Sequence, residues 1–218
     1  MSSDNILDKI FEKSKLSSKE TTKQQKIVEI AIKMFAEKGY ANTSTSEIAK
    51  AAGVAEGTIF RHYGTKENLL MWVIMPFLKD LIPVLAKEFV DGIDKSTDNL
   101  EDFIRAIINN RFQFINGNQD IFCIVVKEFL YKSDLHKEFI PHISKYVLDF
   151  INSALNKFKA MGEIIDVPNP VIIRMILSSV FGYFTMRFVL LKEYGIKDEK
   201  EEMELLVRFI SRGLKPCS

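Results

Sequence analysis

The side chains best suited to covalent or metal chemistry are few and scattered. Among 218 residues there are two cysteines, Cys123 and Cys217, and three histidines. Cys123 lies in an apolar helical stretch and Cys217 in the tail, a separation that gives neither a metal-ligand spacing nor a disulfide framework. His136 and His142 are six apart, which does not put both on one helical face for a metal. No nucleophile elbow, phosphate loop or zinc motif is present. The chain therefore reads as a non-enzyme that calls for no metal or cofactor. The patterned stretch is instead Ser44 to Tyr63, S-T-S-E-I-A-K-A-A-G-V-A-E-G-T-I-F-R-H-Y, whose chemistry is hydrogen bonding and charge.

That stretch must be positioned by two short helices on either side of Gly53-Val54-Ala55. Ile48, Ala49, Ala52, Val54 and Ile59 fall where the two helices pack on each other and on a preceding helix. Ala49 and Ala52 permit close approach, and Gly53 supplies the sharp turn. The pattern predicts a helix-turn-helix. Its second helix is short and polar on its outer face, which suits insertion into a major groove.

The surrounding elements are helical throughout, since apolar residues recur at helical rather than alternating spacing. The spacing predicts helices over 22–38, 45–52, 55–62, 66–90, 98–116, 119–131, 134–160, 169–193 and 198–212. Thr22 with Gln25 fits a capping box, and Ile27, Ile30, Ala31, Met34 and Phe35 form the first buried stripe. Ser44 and Thr65 are N-cap candidates; Gly39 and Gly53 are stops. Pro76 and Pro83 should bend or break the helix from Lys66. Three segments follow: a leader at 1–20, a helix-turn-helix domain at 21–81, and a C-terminal helical domain at 82–218. Lys13–Lys19 reads as a linker, either a disordered leader or a groove-reading arm.

Gly39-Tyr40, Thr43, Glu47-Ile48-Ala49, Ala52-Gly53-Val54, Gly57-Thr58, His62-Tyr63, Lys66-Glu67 and Leu69 together resemble the DNA-binding domain of the tetracycline-repressor family over about residues 24–70. The resemblance implies an all-α homodimer that binds operator double-stranded DNA, takes a ligand into its C-terminal domain, and loses operator affinity on binding it. Carried over by position, Thr45 and Ser46 open the second helix beside the DNA backbone. Glu56, Gly57, Thr58, Phe60 and Arg61 lie along the recognition helix, and His62 and Lys66 meet phosphates. Three departures stand out. Ala55 replaces the usual Ser or Thr cap, Glu56 a basic or amide residue, and Phe60 the usual Tyr. Glu56 either accepts from a cytosine amino group or offsets the helix dipole. Arg61 and His62 also have a plain reading as solvated surface.

Composition is compatible with this and does not by itself argue for it. Apolar residues make up 47%, charged residues 27%, and the net charge is +1. Residues 1–75 hold 11 Lys/Arg against 9 Asp/Glu, a weak asymmetry. No uninterrupted run of about 18 apolar residues exists and no apolar signal core follows the start, so a cytoplasmic protein with no membrane partner is expected. The C-terminal half is rich in phenylalanine. Phe112, Phe122, Phe129, Phe150, Phe181 and Phe184 are the expected wall of a pocket for a small apolar effector. Arg105, Arg111, Arg174, Arg187 and Glu128 are candidates for an orienting polar contact. The helix at 169–193 is apolar nearly all round, so it is expected to be buried and, with 198–212, to pair with a second subunit. The competing readings are a constitutive DNA-binding dimer without ligand and a helical-bundle enzyme. The second needs paired Glu and Glu-x-x-His spacings that the chain lacks.

Overall fold

The computed structural model describes residues 18–76, 99–129, 145–191 and 198–216. They are helical, with no strand among them: α1 Ser18–Lys38, α2 Thr45–Ala52, α3 Glu56–Tyr63, α4 Lys66–Pro76, α5 Leu100–Asn116, α6 Gln119–Phe129, α7 Lys145–Ala160, α8 Asn169–Thr185 and α9 Glu199–Gly213. A π-helical turn, Met186–Leu190, continues α8. Pro83, His136, His142, Cys217 and the expected helical stretches 77–90 and 134–144 lie outside the described residues.

The helices sort into two compact units. One holds α1–α4 together with α6; the other holds α5, α7, α8 and α9. In the first, α1 packs against α2, α4 and α6, and α4 packs against α3 and α6. This many-sided packing explains a difference from the sequence expectation. The buried face of α1 is Ile27, Val28, Ala31, Ile32 and Phe35, with Ile30 and Met34 only half-buried. A helix with partners on more than one side buries a wider arc than a single stripe. The start also differs. The helix begins at Ser18, so Thr22 sits inside it and the Thr22–Gln25 capping box is not the N-terminus. The Ser-Lys-Glu sequence before it carries no helix breaker.

In the second unit α5 lies along α9, joined by Arg105, which reaches Glu204 at 2.8 Å and also pairs with Glu101 and Asp102. Phe103 packs against Phe158 and Phe150 of α7, with ring centroids 5.6 and 6.2 Å apart. Asp198 caps α9 by accepting from the N–H groups of Lys200 and Glu201. Within the single chain α8 is covered on one side, and its other apolar side is the one left for the expected second subunit. Ile172, Ile176, Val180 and Phe184 are buried, whereas Met175, Leu177 and Phe181 on the other side are about half exposed. The residues Asn169–Leu190 are long and apolar enough to cross a membrane by length and composition, although no apolar run is uninterrupted.

Candidate nucleic-acid interface

The helix-turn-helix is set by local chemistry. Ser44 accepts from the Glu47 N–H at 3.1 Å while the Glu47 carboxylate accepts from the Ser44 N–H at 2.9 Å, a reciprocal capping box at the start of α2. Those bonds, with Lys38 at 3.0 Å, pull the Glu47 pKa down to about 2. Gly53 closes α2 at φ 70°, a left-handed conformation that disfavours any residue with a Cβ. The Val54 N–H then returns to Ala49 O at 3.0 Å. Ala55 begins α3 with no side-chain cap. Thr45 Oγ1 instead donates to Glu56 Oε1 at 2.6 Å, tying the first residues of α2 and α3 together.

A second clamp fixes the loop between α1 and α2. Lys66 Nζ donates to Tyr40 O at 3.0 Å and Thr43 O at 2.9 Å, and lies 4.2 Å from the Tyr40 ring centroid. Two of its three ammonium N–H groups are thereby committed. The Tyr40 hydroxyl donates to Glu67. Thr65 caps α4 by accepting from the Asn68 N–H at 3.1 Å.

The outer surface of α3 is open. Phe60 is 48% exposed, Arg61 is exposed, and a side chain on Gly57 would meet nothing within 4 Å. Ser46 is exposed on α2, and Thr58 is half-buried beside the turn. His62 is anchored inward: its Nδ1 lies 3.0 Å from Gln24 Nε2 of α1, and Arg61 lies 3.3 Å from its Nε2. Both contacts are satisfied when Nδ1 carries the proton, the Gln24 amide is turned so that its oxygen accepts, and Arg61 donates to Nε2.

Two cations missing from the sequence expectation join this surface. Lys23 of α1 lines a concavity of about 500 Å³ with Val54, Ala55, Thr58, Arg61 and His62. Lys26 Nζ comes within 3.9 Å of the place a Cβ on Gly53 would occupy. Their signal in the sequence is an i, i+3 pair of lysines outside the buried stripe of α1. The tertiary fold alone shows that this side faces the turn. Lys23, Lys26 and Arg61 thus gather positive charge beside the turn and α3, while the acid Glu56 is bonded to Thr45. Positive charge so placed is of the kind that suits a phosphate backbone.

Residues 27–71 match the family model described as bacterial regulatory proteins, tetR family. These residues are a tetR-family DNA-binding domain. A curated relative, the fatty acid metabolism regulator protein of Bacillus subtilis, is 27% identical over 143 residues, 65% of this chain and 71% of the relative. The fold of this chain is also that of solved tetR-family structures. A transcription regulator from Marinobacter aquaeolei superposes with a TM-score of 0.63 at 18% identity, covering 91% of this chain and 98% of the other. The regulator FadR from Bacillus subtilis, solved in complex with stearoyl-CoA, gives 0.60 at 21% identity, covering 86% and 95%.

Of the six phenylalanines expected to wall one pocket, the described ring contacts join Phe112 to Phe184. Phe122 is buried in α6 of the first unit, and Phe129, at the end of that helix, has a side chain outside the described residues. Phe112 and Phe184 do meet, 6.3 Å apart, and Phe188 of the π turn joins them at 6.0 Å from each. Phe150 packs on Phe103 elsewhere in the unit. Phe181 is exposed, on an open groove of about 630 Å³ that it shares with Leu148, Asn152, Ile173 and Leu177. Aromatic frequency does not distinguish core, cavity and interface. α6 is also more than a pocket wall. It packs on α1 and α4, and its Lys127 Nζ donates to Ala36 O at 2.7 Å, in the last turn of α1.

Proposed function

We propose that this regulator is a homodimeric repressor, and that a small, largely apolar molecule carrying an acyl chain releases it from its operator. Residues 21–81 are the DNA-binding domain in this reading, and residues 82–218 the effector and dimerisation domain. Thr45, Ser46, Gly57, Thr58, Phe60 and Arg61 face the groove, with Glu56 held by Thr45 at its edge. Lys66 and His62 act from behind, by holding the loop and α3 in register. The observation that carries the reading is the contact of α6 with α1 and α4, closed by the Lys127–Ala36 bond. α6 belongs by sequence to residues 82–218 but packs within the first unit, against the two helices that support the recognition helix. A ligand shifts operator affinity only through different affinities for two such arrangements. The acyl chain is suggested by the Bacillus subtilis relative named for fatty acid metabolism and by the stearoyl-CoA complex of a protein of the same fold. The Phe112–Phe184–Phe188 cluster supplies apolar, aromatic wall of the kind such a chain needs.

Dimerisation is supported by the half-exposed apolar side of α8 and by Phe209 of α9, 69% exposed. Apolar surface of this extent on a regulator suits a copy of the same chain. Phe181→Glu should turn the dimer into a monomer in sedimentation velocity and remove tight binding to DNA from the chain's own promoter region. A Phe181→Glu dimer that binds that DNA normally contradicts the arrangement. Release is tested by fluorescence anisotropy of the same DNA with and without stearoyl-CoA.

A further inference from the structure

The three part-buried arginines described in the second unit, Arg105, Arg111 and Arg187, are of two kinds. Arg105 is held by Glu101, Asp102 and Glu204, and Arg187 by Glu199 and Glu202 beneath the Phe112 and Phe188 rings. Arg111 has no carboxylate partner among the described residues. Its one acceptor is the side-chain oxygen of the adjacent Asn110, which takes Nε at 3.0 Å and one terminal N–H. Arg111 also stands where α5 should be apolar. The inward stripe runs through Ile104 and Ile108 to Ile115, and the helical period puts Arg111 between the last two.

The side chain is half-buried. Burial pushes its pKa down, with no neighbouring acid to oppose the shift. A guanidinium stays charged all the same, so its lost hydration goes uncompensated. Two of its five N–H donors are engaged, and the remaining three form part of a planar fork that suits a carboxylate or a phosphate. The next residue, Phe112, opens the aromatic cluster with Phe184 and Phe188. On either side of Phe184, the Tyr183 hydroxyl and Thr185 Oγ1 are buried without a hydrogen-bond partner. Charge and aromatic wall therefore adjoin on one helix.

We infer that Arg111 is the anchor for an anionic headgroup, and hence that the effector is an amphiphile with an apolar chain ending in a carboxylate or phosphate. This rests on the ligand-responsive reading above and narrows the chemistry of its ligand.

The test uses the full-length protein and three probes: oleate, methyl oleate and stearoyl-CoA. Calorimetric titration of the native protein should show at least one anionic probe binding tenfold or more tightly than the neutral ester. Arg111→Met should erase that preference and leave ester binding unchanged, and Arg111→Lys should restore part of it. The probe that loses affinity identifies the source of the charge, a carboxylate for oleate or phosphates for stearoyl-CoA. Arg111→Met should also melt at or above the native temperature, because it removes an unpaired charge. A structural arginine would instead lower the melting temperature. Equal affinity for ester and anions, anion binding unaffected by Arg111→Met, or no binding of either anion overturns the anchor. If methyl oleate still releases promoter DNA while the anchor fails, the effector reading stands. If no probe releases it, the acyl-effector reading falls as well.

Discussion

Lys127 offers a direct handle on how α6 is held against the helices that support the recognition helix. The last carbonyls of a helix lack an intrahelical partner, and Ala36 O in the final turn of α1 is one of them. Lys127 Nζ fills that vacancy at 2.7 Å from a half-buried position. Its charge also opposes the negative end of the helix dipole. A hydrogen bond from a charged donor contributes about 1.5–3 kcal/mol, and partial exposure brings this down to about 1–2 kcal/mol. Lys127→Met keeps the length of the stem and removes the bond. For a chain of this size about 2–4 °C is lost per kcal/mol, so the melting temperature should fall by about 2–8 °C. The bond also limits what it can transmit. If it is made in one conformation and broken in the other, about 1.4 kcal/mol of its stabilisation corresponds to a tenfold change in operator affinity. Paired assays check both points: calorimetric melting of native and Lys127→Met protein, and anisotropy of promoter DNA with and without stearoyl-CoA. The expected result is a lower melting temperature together with a smaller ligand-induced loss of DNA binding. An unchanged melting temperature and an unchanged ligand effect would refute the reasoning.

Two further outcomes follow from the interface. Glu47 has its folded pKa depressed from 4.5 to about 2, so its stabilising contribution is present above about pH 4.5 and disappears as the pH falls toward 2. Melting temperature measured against pH should show a shallower acid decline in Glu47→Gln, and superimposable profiles would exclude Glu47 as a source of that decline. Lys23→Ala and Lys26→Ala should each weaken binding to all DNA sequences alike and reduce the slope of log affinity against log salt by about one phosphate. An unaltered slope would remove them from the DNA surface.

The parts of this molecule legible in its sequence are those fixed by short-range chemistry. α2 runs from Thr45 to Ala52 as expected because Ser44, Glu47 and Gly53 fix both ends within ten residues. Thr65 caps α4 and Ala55 leaves α3 uncapped for equally local reasons. What escaped depends on neighbours distant in sequence. That Lys66, expected to meet phosphate, also gives two of its N–H groups to Tyr40 and Thr43 depends on residues more than twenty positions away. Lys23 and Lys26 become part of the interface only when α1 is laid beside the turn. α8, apolar nearly all round in sequence, is buried on one side and open on the other, a distinction that periodicity does not carry. Arg111 did leave a trace, a charge inside an apolar stripe. Its meaning depended on showing that Arg105 and Arg187 already have acids and Arg111 does not.

In the proposed regulation, effector and operator oppose each other through one protein. The measurement that tests it most directly is a closed thermodynamic cycle. The affinity of the dimer for promoter DNA is determined with and without saturating stearoyl-CoA. The affinity for stearoyl-CoA is then determined with and without saturating DNA. Linkage requires both affinities to fall by the same factor. A common factor of about ten or more is expected. Saturation of the protein by the ligand with neither affinity changing would contradict it and leave a DNA-binding dimer that does not sense the molecule it holds.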